Sequence, residues 1–141
     1  MPDDRTPSMA KLLRLAPQLE VADLRRTIVF YVERLGFTLC ASWPQADPSW
    51  CMLERDGVQL MFVHGLHAGK PRMSGKLAFV TDDVMAVHER VRRHARIVYG
   101  PEVYHYGMKE FALEDPDGYM ISFGQETDEP PTCPAEERSD S

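Results

Sequence analysis

Five histidines, three cysteines and one serine inside an apolar run are the residues of this 141-residue chain best suited to metal binding or nucleophilic attack. His64 and His67 share the loop segment HGLH, and His105 sits among tyrosines, but the flanks supply no third ligand at a recognisable spacing. A catalytic divalent metal needs three or more converging donors. His88 and His94 fall on or just after a predicted helix, and all five read as loop or surface histidines. Cys40, Cys51 and Cys133 form no CxxC and would leave one thiol over from any pairing, which predicts reduced cysteines. Cys40 and Cys51 are expected to be small buried hydrophobes without a histidine partner. Ser122, in EDPDGYMISFGQ, has neither the strained elbow nor the base that would activate it. Glu20 and Lys76 can share a face by strand parity, as an ordinary ion pair or a solvated rim.

What remains is a recognition surface. Trp43, Trp50, Met52, Met61, Tyr104, Tyr106, Met108, Phe111 and Met120 fall on predicted strands or loops, interspersed with Gln18, Glu20, Glu54, Gln59 and Glu110. Aromatic rings and thioethers accept planar or irregular ligands through stacking and polarizable contact. Strand alternation should send about half of them to the core instead. Trp43 and Trp50, on either side of the Pro44–Pro48 loop, suit a lid or a subunit contact. A net charge of −6 argues against nucleic acid, which needs a basic surface, and is compatible with a cationic ligand. No apolar stretch approaches the roughly 18–20 residues of a membrane span. The first 18 residues carry two acids before a base and no apolar run ending at a cleavage site, so a cytoplasmic location is expected.

The elements that must position these residues follow from periodicity. Leu15 to Val21 reads as a strand leading to Asp23, a helix N-cap whose carboxylate can accept from free backbone N–H groups. Leu24, Ile28, Tyr31 and Leu35 then form one apolar helical stripe, closed by Gly36. Strands are predicted over Phe37–Trp43, Ser49–Glu54 and Val58–Val63, the last two joined by an Asp56-Gly57 hairpin turn. After a loop over 64–75, a strand over Lys76–Val80 leads to a cap at Asp82 or Asp83 and a second stripe of Val84, Val87 or His88, Val91 and Ala95. Strands near Pro101–Tyr106, Lys109–Glu114 and Tyr119–Gln125 complete the chain, with DPDG as the final turn and its carboxylates expected in solvent. Residues 1–10 and the acidic tail 126–141, with three prolines, cannot bury enough surface to offset their ordering entropy and are expected to be disordered.

The order β-α-β-β-β occurs twice. Asp23-Leu24 matches Asp83-Val84 at a shift of about 60, and Asp56-Gly57 matches Asp117-Gly118 at about 61. This predicts a single α+β domain over 11–125, built from two βαβββ modules at about 15–63 and 76–125. They would form a curved mixed sheet with helices outside and a concave ligand cleft.

LEVADLRRTIVFYVERLGF (19–37) and EFALEDPDGYMISFGQ (110–125) resemble the vicinal oxygen chelate superfamily of glyoxalases, extradiol dioxygenases, fosfomycin resistance enzymes and bleomycin resistance proteins. The resemblance implies four metal-ligand positions, on the first, fourth, fifth and eighth strands. They fall here on Ala16, Met61, Lys76 and Ser122. Ala offers no donor, a protonated Lys repels a cation, Met is too soft for a hard ion and a Ser hydroxyl lacks a carboxylate's charge. The expectation is a metal-free, cofactor-free and non-catalytic site in the character of the bleomycin resistance branch. There a homodimer confers antibiotic resistance by sequestering a cationic aromatic drug in interface clefts. Trp43, Trp50, Met52, Met61, Tyr104, Tyr106, Met108, Glu110, Phe111 and Ser122 are the expected ligand contacts. The alternative is a glyoxalase-like or dioxygenase-like enzyme with a displaced metal site.

Overall fold

The computed structural model describes residues 9, 13–65, 70–72 and 75–133. His67 and most of the first ten residues therefore lie outside the described part. Element order is β1 (Gln18–Glu20), α1 (Leu24–Val29) continuing into a π-helical turn (Phe30–Arg34), β2 (Thr38–Trp43), β3 (Trp50–Arg55) and β4 (Val58–Val63). The second half repeats it: β5 (Lys76–Val80), α2 (Val84–Val91), β6 (Arg96–Tyr104), β7 (Met108–Glu114) and β8 (Met120–Glu126). The strands make two four-stranded mixed sheets, ordered β1-β4-β3-β2 and β5-β8-β7-β6. Each is one βαβββ module, with its first strand parallel to its last and the other pairs antiparallel.

Both helices start where an aspartate caps them. Asp23 accepts from the Arg26 N–H at 3.2 Å, and Asp83 from the Ala86 N–H at 3.1 Å. α1 departs from a regular stripe. The Leu35 N–H donates to the Phe30 carbonyl five residues back, so the turn holds one extra residue. Phe30 and Tyr31, neighbours in sequence, are both buried and Ile28 is only half-buried, where 3.6-residue periodicity predicted Leu24, Ile28, Tyr31 and Leu35. α2 is regular and buries Val84, Val87 and Val91.

One core runs through both modules. Cys51, Leu53, Leu60 and Phe62 of the first sheet face it, as do Phe111, Leu113, Ile121 and Phe123 of the second. Phe37 and Phe79 meet across the modules at 6.3 Å. Burying each such side chain contributes about 1.5–3 kcal/mol, so the shared core makes the halves interdependent.

Polar contacts lock the joint, and they revise the expectation for the DPDG turn. Asp117 does not face solvent; its side chain is 1% exposed. It accepts from the Ala22 N–H (3.0 Å), the Arg26 guanidinium (3.0 Å) and the Thr27 hydroxyl (3.3 Å) at the start of α1. Asp115, also buried, accepts from the Tyr31 hydroxyl at 2.8 Å and from the N–H groups of Asp117 and Tyr119. The Tyr119 hydroxyl donates to the Glu20 carbonyl. At the other end of the helix, Arg55 and Arg90 donate to the carbonyls of Leu35 (2.7 Å) and Arg34 (2.9 Å), placing positive charge at the helix C-terminus.

β6 begins earlier than its sequence suggests, at Arg96, and carries register shifts between Ile97 and Tyr99 and between Tyr99 and Glu102. Gly100 sits in this stretch at φ +75°, and an added Cβ would lie 2.2 Å from the Glu110 carbonyl oxygen. Only glycine permits that approach. Residues 127–133 then return along β6: the Thr132 N–H donates to the Val103 carbonyl, and the Thr132 hydroxyl oxygen accepts from the Val103 N–H, both at 2.8 Å.

Candidate functional site

Strand alternation leaves each sheet a second face, turned away from the helices, and the recognition residues divide between the two sheets. On the first sheet Trp43 pairs with Trp50 across β2 and β3, and Met52 pairs with Met61 across β3 and β4. The Trp50 indole N–H donates to the Gln18 side-chain carbonyl at 3.2 Å, and Trp43 is two-thirds exposed. Glu54 accepts from the Gln59 amide at 3.4 Å. Glu20 is buried at the end of β1 and accepts from the Gly65 N–H at 2.7 Å.

The second sheet carries a denser constellation. Its floor is made of small residues, because β-register aligns Ala78, Ser122 and Ala112 in one row and sets Gly124 opposite Glu110 in the next. Over this floor Lys76, from the start of β5, reaches Glu110 of β7: the ammonium donates to the carboxylate at 2.8 Å and to the Tyr99 hydroxyl at 2.6 Å. The Tyr99 hydroxyl donates in turn to Glu110, and Tyr106 donates to its other oxygen at 2.9 Å. Glu110 is 6% exposed. Burial pushes its carboxyl upward, but these three hydrogen bonds and the Lys76 charge outweigh it and hold the pKa below the usual carboxylate value. Burial also opposes the charge on Lys76, and the bonds to Glu110 and Tyr99 overcome it, so the ammonium is held more firmly protonated than in water. Tyr104 and Tyr106 stack at 5.6 Å with ring planes 7° apart, and Tyr99 meets Tyr104 edge-on at 6.0 Å. Burial pushes both stacked phenols up to about 12, so they act as neutral donors and ring surfaces.

A groove of about 520 Å³ is lined by Gln59 of β4, by Lys76, Ala78 and Val80 of β5, and by Leu15 and Pro17. Val80 is 71% and Leu15 85% exposed, so the groove has apolar walls in water.

Two expected placements change. Phe111, expected at the cleft, is wholly buried on the helix side, edge-on to His88 at 5.0 Å and stacked on Phe123 at 5.6 Å. It neighbours Glu110 in sequence, and strand alternation sends the two to opposite faces. Cys40 is exposed, whereas Cys51 is buried in the core with its thiol pushed up to about 11 by desolvation. Tyr99 is a member of this constellation that the sequence did not single out; the register shifts in β6 bring it to Lys76 and Glu110.

The four positions at which the superfamily resemblance implies metal ligands do not fit a metal here. Ser122 is 2% exposed between Ala78 and Ala112, and register sets Gln18, not Ala16, beside Met61. Lys76 brings a fixed positive charge to the same face. Among the described residues no group of three His, Cys, Asp or Glu side chains is placed to hold a metal ion. A His64 ring nitrogen lies 2.9 Å from the Val21 carbonyl, and His105 packs edge-on against Tyr106. Among the described residues, no helix is long and apolar enough to cross a membrane.

Residues 12–123 match the family model of the Glyoxalase/Bleomycin resistance protein/Dioxygenase superfamily. The structure of TnmS3, an antibiotic binding protein from Streptomyces sp. CB03234, superposes with a TM-score of 0.73 at 28% identity, covering 85% of this chain and all of that one. A glyoxalase/bleomycin resistance protein from the same organism superposes at 0.65 and 28% identity, covering 78% of this chain and 97% of that one. TioX from Micromonospora sp. ML1 reaches 0.70 at 18% identity, over 81% and 98%, which establishes likeness of fold alone. No curated protein matches the chain.

Proposed function

The chain belongs to the Glyoxalase/Bleomycin resistance protein/Dioxygenase superfamily, and we propose that within it this protein binds a small molecule without transforming it. The ligand is an aromatic, cationic compound of antibiotic type, sequestered without metal or cofactor in the cleft of a cytoplasmic homodimer. The observation that carries this reading is the Lys76 ammonium, fixed by Glu110 at 2.8 Å, at a position where the superfamily resemblance implies a metal ligand. A protonated amine offers a metal no lone pair, so this position supplies no Lewis acid to polarise a substrate. The tyrosine stack, the Trp43 and Trp50 pair and the thioethers of Met52, Met61 and Met108 supply stacking surface, and the net charge of −6 favours a cationic partner. The 28% identity to an antibiotic binding protein supports the ligand class.

Elemental analysis of protein purified without chelators should find zinc, nickel, manganese and iron each far below one equivalent; a near-stoichiometric metal overturns the reading in favour of a metalloenzyme. Isothermal titration with metal-free bleomycin and a panel of planar aromatic antibiotics should give saturable heat with at least one, weakened about tenfold or more by Tyr106→Ala. Absence of heat with every compound rejects antibiotic sequestration. Light scattering should return twice the chain mass.

A further inference from the structure

We propose that residues Thr127–Cys133 form a strap that holds the tyrosine platform of the cleft in place, with Thr132 as its positioning residue. The proposal rests on the ligand-binding reading of Tyr104 and Tyr106. β6 is the outermost strand of its sheet, so one side of it has no neighbouring strand. Its pairing with β7 is interrupted twice, and beyond the second interruption only Glu102, Val103 and Tyr104 are in register with Glu110, Lys109 and Met108. Tyr104 ends β6 and Tyr106 stands in the turn that follows, where the chain would fray without further support.

The strap supplies that support from the open side. Thr132 brackets Val103, the residue before Tyr104, by donating its N–H to the carbonyl and accepting the amide on its hydroxyl oxygen, each at 2.8 Å. The Cys133 N–H reaches the same carbonyl at 3.2 Å. At the other end of the platform the Thr127 N–H donates to the Gly107 carbonyl at 3.0 Å, while Glu129 lies 3.8 Å from Lys109 of β7. Residues 103–107, which carry both stacked tyrosines, are thus held at each end. Pro130 and Pro131 between the anchors restrict the strap before it docks, which lowers its ordering cost. The outcome is a covered sheet edge and a fixed pair of rings.

The test uses the full chain with Thr132→Val, which keeps the shape and removes the acceptor, and Thr132→Ser, which restores it. Amide exchange at Val103 and Tyr104, the near-ultraviolet circular dichroism of the tyrosines, and titration with metal-free bleomycin are read on each. Thr132→Val should speed exchange at Val103 about tenfold, the equivalent of one lost hydrogen bond of about 1.4 kcal/mol, and diminish the tyrosine signal. Thr132→Ser should restore both, and bleomycin affinity should fall and recover with the signal. Faster exchange with an unchanged tyrosine spectrum overturns the proposal, because the strap would then cover an edge and position nothing; unchanged exchange overturns it as well. If wild-type protein binds no bleomycin, that counts against the drug as ligand, and exchange and spectrum still decide the strap.

Discussion

Replacing Asp117 with Ala removes three contacts between modules at once, and the loss can be worked out contact by contact. Thr27 is wholly buried, so its hydroxyl would lose a partner where water cannot replace it, at about 1–2 kcal/mol. The Ala22 N–H is exposed and rehydrates, so its bond to a charged acceptor contributes about 0.5–1 kcal/mol. Arg26 is half-exposed, and solvent screening limits its pair with Asp117 to about 0.5 kcal/mol. The total is about 2–3.5 kcal/mol. That corresponds to about 5–12 °C in Tm and about 1–1.8 M in the urea midpoint at a typical slope. The control lies in the other module. Asp56 is the repeat-equivalent residue, yet its side chain is 84% exposed and pairs with Arg55 at 3.4 Å. Asp56→Asn is the suitable change there, since the residue sits at φ +53°, which Asn tolerates and Ala does not. It should move stability by less than about 0.5 kcal/mol. Urea unfolding followed by far-ultraviolet circular dichroism measures both. A loss below about 0.5 kcal/mol for Asp117→Ala, or an equal loss for the two variants, would refute the claim that this turn clamps α1.

Glu110 has a folded-state pKa below its unfolded value, so it stabilises the protein above about pH 4.3, and that contribution is lost as pH falls through the folded value. Glu110→Gln should therefore be less stable than wild type at about pH 6, with the gap narrowing toward about pH 3; urea midpoints across that range check the sign, and a constant gap would assign the effect to shape instead of charge. The glycines of the second sheet should separate sharply. Gly100→Ala places a Cβ 2.2 Å from backbone at positive φ and should cost more than about 4 kcal/mol or prevent folding, whereas Gly124→Ala meets the flexible end of Met108 at 2.8 Å and should cost about 1–2 kcal/mol; soluble yield and thermal melts report both.

The architecture was legible because it rests on short-range chemistry. Asp23 and Asp83 cap helices, Asp56-Gly57 and Asp117-Gly118 make turns, and alternation marks strands; each signal acts within a few residues and recurs at a shift of about 60. Superfamily membership followed from the same local motifs. The poverty of metal donors could also be read by residue type, since neither Ala nor protonated Lys offers a hard cation a lone pair.

Tertiary structure decided whatever depends on which distant residue a side chain meets. Asp117 has the sequence of an ordinary turn residue, and only the docking of one module on the other makes it a buried clamp while Asp56 stays in water. Phe30 is buried beside Tyr31 at the start of a π turn, a one-residue insertion that 3.6-residue periodicity cannot anticipate. Phe111 was drawn toward the cleft by its neighbours in sequence and belongs to the core by parity. Tyr99 reached Lys76 and Glu110 through register shifts in β6 that no local pattern encodes. Residue types thus set what this surface can do chemically. Register and module packing, which depend on contacts across the whole chain, set which of those residues act together.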